Sequence, residues 1–447
     1  MFLHPPHTAA RLSTRHFRRV GAIAVSVGAL LFAAACGGGG GSAPNQGASA
    51  SADPLTQQGP IEYWASKDLT GNLANLIEEF NKQHPQGQVT LHELPEAADQ
   101  QRQQMVQNTQ IKNDKMGVLY LDNVWTAEFA ANQWIIPLPE DKFPTDKFLQ
   151  APLKSATYFD KMYAYPYQTD GGLLYYRKDL LDKYDLKAPT TWGEMTAACQ
   201  KIKAGENDPK LSCYAGQFQK YEGLTCNFAE AIDSAGGQIT DENGKPNVNT
   251  PEALKGLSFL TDSFKDGTIP KAAITWKEEE SRQAFQNGEL IFLRNWAYVY
   301  RLAQKTDGSS KVAGKFAVAP LPGLDGPGVS TLGGHNLAIG TYAANKGTAA
   351  DFIKFMSSEE AAKADTLATG QAHVNQALYS DPEVLKKFPH FPILQKSIET
   401  ANPRPKVVKY GDARLAMQDA AYGALQGQLT PEAALSGLPS KLESLTQ

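Results

Sequence analysis

Four cysteines in 447 residues, with no C-x-x-C among them, exclude a disulfide-dense scaffold and the common thiol metal and redox motifs. Histidine is equally sparse in pattern. Beyond the N-terminal segment it occurs at His84, His92, His335, His373 and His390, none paired at metal-ligand spacing. No phosphate-cradling loop is present: "GGQITDENGKP" has the wrong spacing and a proline where Ser or Thr is required. G-x-S-x-G and H-E-x-x-H are missing too, so no cofactor, metal or activated nucleophile is implied. Positive charge is not in excess, with 43 Lys and Arg against 47 Asp and Glu, and no basic stripe appears, which excludes nucleic acid as a partner. One acidic run, "EEE" at 278–280, could supply carboxylates to a glycoside hydrolase, but acids at a helix start are commonly a dipole-favoured, solvated turn.

What is present is ordinary globular composition, 42% apolar and 20% charged, long enough for two or three domains with their own cores. The N-terminus stands apart. Arg11, Arg15, Arg18 and Arg19 precede an apolar run, Val20 to Ala35, that ends "AAAC" at Cys36. That run is too short for a spanning helix and has the layout of an export signal. The cysteine after three alanines resembles a bacterial lipobox. Residues 1–35 are then a signal peptide, Cys36 carries lipid, and 36–57 is a Gly/Ser-rich flexible tether. This places the chain on the extracellular face of the cell membrane, lipid-anchored, with 39 basic and 47 acidic residues left after cleavage. Outside the cell disulfides can form; Cys199 and Cys213 are expected to pair, and Cys226, in an apolar helical pattern, to be a buried thiol.

Periodicity gives the organisation. "IEYWAS" (61–66), "QVTLHEL" (88–94) and "MGVLYL" (116–121) read as strands. Between them, 72–85 has Leu73, Leu76, Ile77 and Phe80 on one helical face, and 98–112 reads as a polar helix. This β-α-β-α-β opening predicts an α/β fold with a parallel sheet under helices. Two extended aromatic runs then flank "QTDGG". Further on, "TTWGEM" offers Thr191 and Glu194 as a capping box, and 348–370 reads as helical. The interrupted alternation near 168–172 and a Gly/Pro-rich link at 323–331 predict two lobes that exchange chain several times. The crevice between them is the natural ligand site.

Aromatic and polar residues recur together at the ends of strands. A sugar ring asks for that combination, with an apolar face to stack on Trp or Tyr and a rim of hydroxyls that both donate and accept. Six segments qualify: "LDNVW" with Asp122, "YQTDGG" with Asp170, "RNWAYVY" with Trp296 and Tyr298, "TLGGHNLAI" with Gly333 and Gly334, "NPRPKVVKY" with Arg404 and Tyr410, and "WASKDLTGN". Each has an ordinary structural reading as well. Asp122 could be a helix cap, Trp296 core, the glycines a turn and Arg404 a surface ion pair.

The stretches "LDNVWTAEFAANQWIIPL", "YPYQTDGGLLYYRKDLL", "TTWGEM", "YEGLTCNFAEAIDSAGG", "AFQNGELIFLRNWAYVY", "TLGGHNLAI" and "LYSDPEVL" together carry a resemblance over nearly all of 58–440. The chain resembles the extracellular solute-binding proteins of bacterial ABC sugar importers, a family that includes maltose-binding proteins, and looks closest to the trehalose/maltose-binding branch. That resemblance implies a type II two-lobed binding-protein fold, lobes of 58–168 plus 332–375 and 169–331 plus 376–447, and a monomer that is not an enzyme. The ligand it implies is an α-glucoside disaccharide, and the partner an ABC permease. Asp122 and Asp170 would grip hydroxyls from opposite lobes, Trp296 and Tyr298 would stack, Gly333 and Gly334 would offer backbone amides, and Arg404 and Tyr410 would close over the second ring. Arg102 and Glu279 would be further contacts. His335 and Gln168 stand where some relatives have aromatic residues, exchanging stacking surface for hydrogen bonding. An exported glycoside hydrolase acting on a disaccharide is the alternative.

Overall fold

The computed structural model describes residues 53–446 apart from Glu242, so the expected signal peptide and the expected lipidation site, Cys36, lie outside the described residues. Among those described, no helix is long and apolar enough to cross a membrane.

The described residues are built on two large sheets, beside a two-stranded ribbon of Thr157–Tyr158 and Lys161–Met162. The first has five strands in the order Val89–Leu94, Ile61–Ser66, Met116–Asp122, Leu332–Ile339, Tyr165–Gly171. Its first three strands are parallel, and Leu332–Ile339 runs antiparallel to both neighbours. The second sheet orders Ala317–Ala319, Leu173–Tyr176, Leu290–Asn295, Ser212–Ala215. The β-α-β opening forms as the periodicity predicts. The helix Leu73–Gln83 buries Leu76, Ile77 and Phe80, and Phe80 packs edge-on to Phe352 beneath the first sheet. Met116–Asp122 is buried along its whole length, as a central strand covered on both faces must be.

Thr191 and Glu194 make the capping box at the start of Trp192–Glu206. That helix is tied to the strand Ser212–Ala215 by the Cys199–Cys213 disulfide, with Cα atoms 5.4 Å apart. Cys226 is a buried free thiol, pushed up to about 12 by burial. The helical reading of 348–370 is borne out, with one division. The stretch 348–370 is two helices, Lys346–Met356 and Glu359–Thr369. Ser358 separates them because its hydroxyl accepts from Ala361 N at 3.2 Å, starting a new helix in place of continuing the old one.

The chain passes between the sheets where Gly and small polar residues cluster. Tyr165–Gly171 pairs in the first sheet and Leu173–Tyr176 in the second, so the first crossing lies at Gly172, within the interruption near 168–172 read from sequence. A Cβ on Gly172 would stand 2.6 Å from Glu230 Oε1, which explains glycine there. The second crossing, at Thr331, is bridged to a third strand of chain at Asn402. Leu332 N donates to Asn402 O and Asn402 N to Ser330 O, both at 2.8 Å. Ser397 Oγ donates to Gly172 O at 3.0 Å. Three crossing segments are thus hydrogen-bonded into one narrow waist, the arrangement of a hinge.

Candidate functional site

Strand register assembles the first-lobe wall of the site. His335 lies opposite Asp122 on one side and Gln168 on the other, and Gly333 lies opposite Asp170. Residues 213 apart in the chain become lateral neighbours because the Leu332–Ile339 strand slots between the other two. The wall faces a cavity of about 260 Å³, near the lower end of the roughly 300–1,000 Å³ typical of ligand pockets. The second lobe closes it with Trp296 and Tyr298 after the strand Leu290–Asn295, with Tyr221 and Glu222 at the start of the helix Glu222–Asp233, and with Glu278. Loop 66–70 closes the rim. There Asp68 caps the helix that follows, its carboxylate accepting from the amides of Thr70, Gly71 and Leu73 at 2.8–2.9 Å.

Trp296 sits between the two lobes. Its indole lies 3.9 Å from the Arg294 guanidinium, a cation–π contact. On another side it meets the first sheet at Gly333, where a Cβ would come within 2.8 Å of the ring. Gly333 is therefore small to seat the tryptophan. Gly334 has φ +113°, and a Cβ there would meet Gln168 O at 2.3 Å, so its glycine serves backbone conformation and close strand approach. The sequence assigned both glycines to presenting free amides; the structure gives their smallness these other causes.

Asp170 lines the cavity and accepts from Gly171 N at 2.9 Å and, across the lobes, from Ala297 N at 3.3 Å. Burial pushes its carboxyl up to about 7, against the pull of those amides and of Arg294. His335 stacks on Tyr120 with centroids 3.9 Å apart. Burial lowers its imidazole to about 4, so it is neutral near pH 7. Gln168 accepts from the Tyr120 hydroxyl and donates to Gln371 Oε1, which fixes its amide at the cavity edge.

Asp122 is not a free carboxylate. Arg404 Nη2 donates to its Oδ1 at 2.7 Å and Nη1 to its Oδ2 at 3.3 Å. Nη1 also donates to Glu222 Oε1, as does the Tyr410 hydroxyl. Arg404, 3% exposed, thus ties the end of a first-lobe strand to the start of a second-lobe helix. Glu222 Oε2 and Arg404 Nε lack protein partners. Burial pushes Glu222 up to about 7; Arg404 opposes this and Asp122 adds to it.

Three expected contacts lie elsewhere. Tyr410 is fully buried behind Glu222 and supports the site from outside the cavity lining. Arg102 is paired with Glu128, its Nε donating at 2.7 Å, also outside the lining. Glu279 binds Arg282 and accepts from the Tyr298 hydroxyl at 2.7 Å; its neighbour Glu278 faces the cavity instead. Consecutive helical residues point about 100° apart, and here the phase turns Glu278 to the cavity and Glu279 toward Arg282 and Tyr298. Glu222, Tyr221, Asp365, Tyr120 and Tyr167 line the cavity and were not singled out from sequence. The available signal was an acid, Glu222, opening a largely apolar first two turns of helix.

Two α/β lobes joined by a three-segment hinge, with a cleft of aromatic rings and carboxylates drawn from both, define a solute-binding protein. The sequence profile of the bacterial extracellular solute-binding proteins matches residues 66–363, and the chain belongs to that family. A probable ABC transporter-binding protein of Deinococcus radiodurans is 34% identical over 390 residues, spanning 85% of this chain and 88% of its own. The maltose-bound MalE3 of T. maritima is 33% identical and superposes with a TM-score of 0.81, over 86% of this chain and 99% of that one. A solute-binding protein from Thermotoga lettingae bound with alpha-D-tagatose shares the fold, with a TM-score of 0.78 at 22% identity over 87% of this chain and all of its own. The chain is thus an extracellular solute-binding protein, acting outside the cytoplasm as a binding protein and not as an enzyme.

Proposed function

We propose that this protein captures an α-linked glucose disaccharide, trehalose or maltose, and delivers it to a permease while held to the membrane by lipid on Cys36. The observation that carries this reading is Trp296. It reaches from the second lobe over Gly333 of the first, beside Asp170, so a sugar stacked on it touches both lobes at once. A ligand with contacts to both lobes favours the closed form over the open one. The moving bodies are the lobes carried by the two sheets, hinged at Gly172, Thr331 and Asn402. The 33% identical neighbour with maltose bound supports the choice of ligand.

The test is a thermal-shift panel of trehalose, maltose, sucrose, tagatose, ribitol and mannitol. A ligand bound only by the native state raises Tm. Trehalose or maltose should give the largest rise; a shift with a polyol alone would reject the disaccharide reading.

A linked proton is expected. Sugar hydroxyls donated to Asp170 and Glu222 favour their ionised forms, whose pKa values burial holds at about 7 in the free protein. Binding then releases protons just below neutral pH, and affinity rises as pH climbs through about 7 and falls below it. Calorimetry in two buffers of different ionisation heat reads the proton count directly. Identical heats in both would contradict this assignment.

A further inference from the structure

The ribbon of Thr157–Tyr158 and Lys161–Met162 turns through Phe159 and Asp160, and its tip is anomalous in two ways. Phe159 is 82% exposed, the most exposed large apolar side chain among the described residues. Its φ is +43° and that of Asp160 is +57°. Asn-Gly is the usual occupant of a two-residue hairpin loop with both residues left-handed, and a bulky side chain is strained there. The ring meets Tyr158 with centroids 4.5 Å apart and lies outside the cavity lining. Lysines surround it. Lys161 is on the ribbon, Lys154 is in the turn leading into it, and Lys406 Nζ donates to Lys154 O at 2.9 Å. All three are exposed, and none is paired with a carboxylate among the described residues. The acid at the tip is Asp160.

The ribbon also lies close to where the described chain begins. Met162 O accepts from Leu138 N at 2.8 Å, Lys142 N donates to Pro139 O at 3.0 Å, and the Lys142 ammonium is paired with Asp53, the first described residue. Glu140 and Asp141 stand beside Lys142 there, so the excess positive charge belongs to the ribbon tip and not to the whole edge. Asp53 is joined through residues 36–52 to Cys36, a span of at most about 60 Å at full extension.

We infer that the ribbon is a membrane-contact tip, with the Phe159 ring entering the headgroup boundary of an anionic bilayer and Lys154, Lys161 and Lys406 meeting lipid phosphates. The choice of a bilayer as occupant rests on the lipid-anchor reading above, because lipid on Cys36 keeps this edge of the molecule within reach of the surface. An aromatic ring flanked by lysines has the chemistry of an interfacial contact. The ring leaves water for the acyl boundary, and the ammonium groups are drawn to anionic headgroups. Contact at the tip gives the anchored molecule a preferred orientation on the membrane.

The test uses the chain from residue 36 onward carrying Cys36→Ser, which cannot be acylated, with vesicles of phosphatidylcholine alone and of equal parts phosphatidylcholine and phosphatidylglycerol. Co-sedimentation should show a preference for the anionic vesicles that falls with added salt. Phe159→Asn removes the ring and suits the left-handed turn, so binding should fall about ten-fold with Tm unchanged or raised. Lys154→Gln with Lys161→Gln should cost about five-fold per lysine on anionic vesicles and leave binding to phosphatidylcholine alone unchanged. Equal binding to both vesicle types, or anionic-vesicle binding that survives Phe159→Asn, would overturn the tip. So would a dimer in vesicle-free solution that Phe159→Asn disperses, which assigns the ring to a second copy of the chain. Mass spectrometry of the exported native protein tests the anchor separately. An unmodified Cys36 removes the anchor reading, while the vesicle result still decides the tip.

Discussion

Trp296→Ala is expected to weaken sugar binding by about 10- to 100-fold, the loss of one stacked aromatic platform. The cost to folding should be smaller. The side chain is only half-buried, so truncation should cost about 1–2 kcal/mol, less than the roughly 3–5 for a fully buried tryptophan. The contrast follows from where the ring sits. Arg294 holds it from the second lobe at 3.9 Å, Gly333 makes space for it on the first, and it lines the cavity. Titration calorimetry and urea denaturation of the same variant separate the two effects. Wild-type affinity would show that the sugar stacks elsewhere, and Trp296→Phe should fall between the two.

Arg294→Met should be the most destabilising single change, at about 3–5 kcal/mol. Arg294 is 1% exposed; its Nε donates to Glu230 at 2.7 Å and its Nη1 to Gln217 at 2.9 Å. Removing it leaves the Glu230 carboxylate buried without its counter-ion. The paired change Arg294→Met with Glu230→Met should recover most of the loss, because replacing both partners removes the unpaired charge. Recovery should be incomplete. Glu230 Oε1 also accepts from Thr331 N at 3.1 Å, at the hinge crossing, and an orphaned buried amide costs about 1–3 kcal/mol. The ring of Trp296 would lose its cationic platform too, so sugar affinity should fall even in the recovered double variant. Urea denaturation checks the stability terms, and a single-variant loss under about 1 kcal/mol would contradict them.

Much of this was legible in the sequence because it is local. Leu76, Ile77 and Phe80 mark a helical face by spacing alone, and Thr191 with Glu194 announces a helix start. The crossing at "QTDGG" was visible as a break in β-α alternation. Asp122 could be placed facing a cleft because the carboxyl ends of parallel strands do so. What was not legible depends on distant pairing. Arg404 does line the cavity, but its partners Asp122 and Glu222 lie 282 and 182 residues away and could not be read from its neighbours. Tyr410 is hidden by the same long-range contact. Glu278 and Glu279 differ by one position, and helix phase, which a run of three acids does not reveal, decides which one faces the cavity. The pairing of His335 with Asp122 depends on an antiparallel strand inserted from the far end of the chain, and no local pattern encodes that order.

The most direct test of the central claim is calorimetric titration of the purified chain with maltose and with trehalose, with free glucose assayed in the same cell. The account predicts saturable binding of at least one of them at one site per chain, a negative heat-capacity change from burying the ring against Trp296, and no glucose released. Absence of binding by both disaccharides, or release of glucose from either, would contradict it.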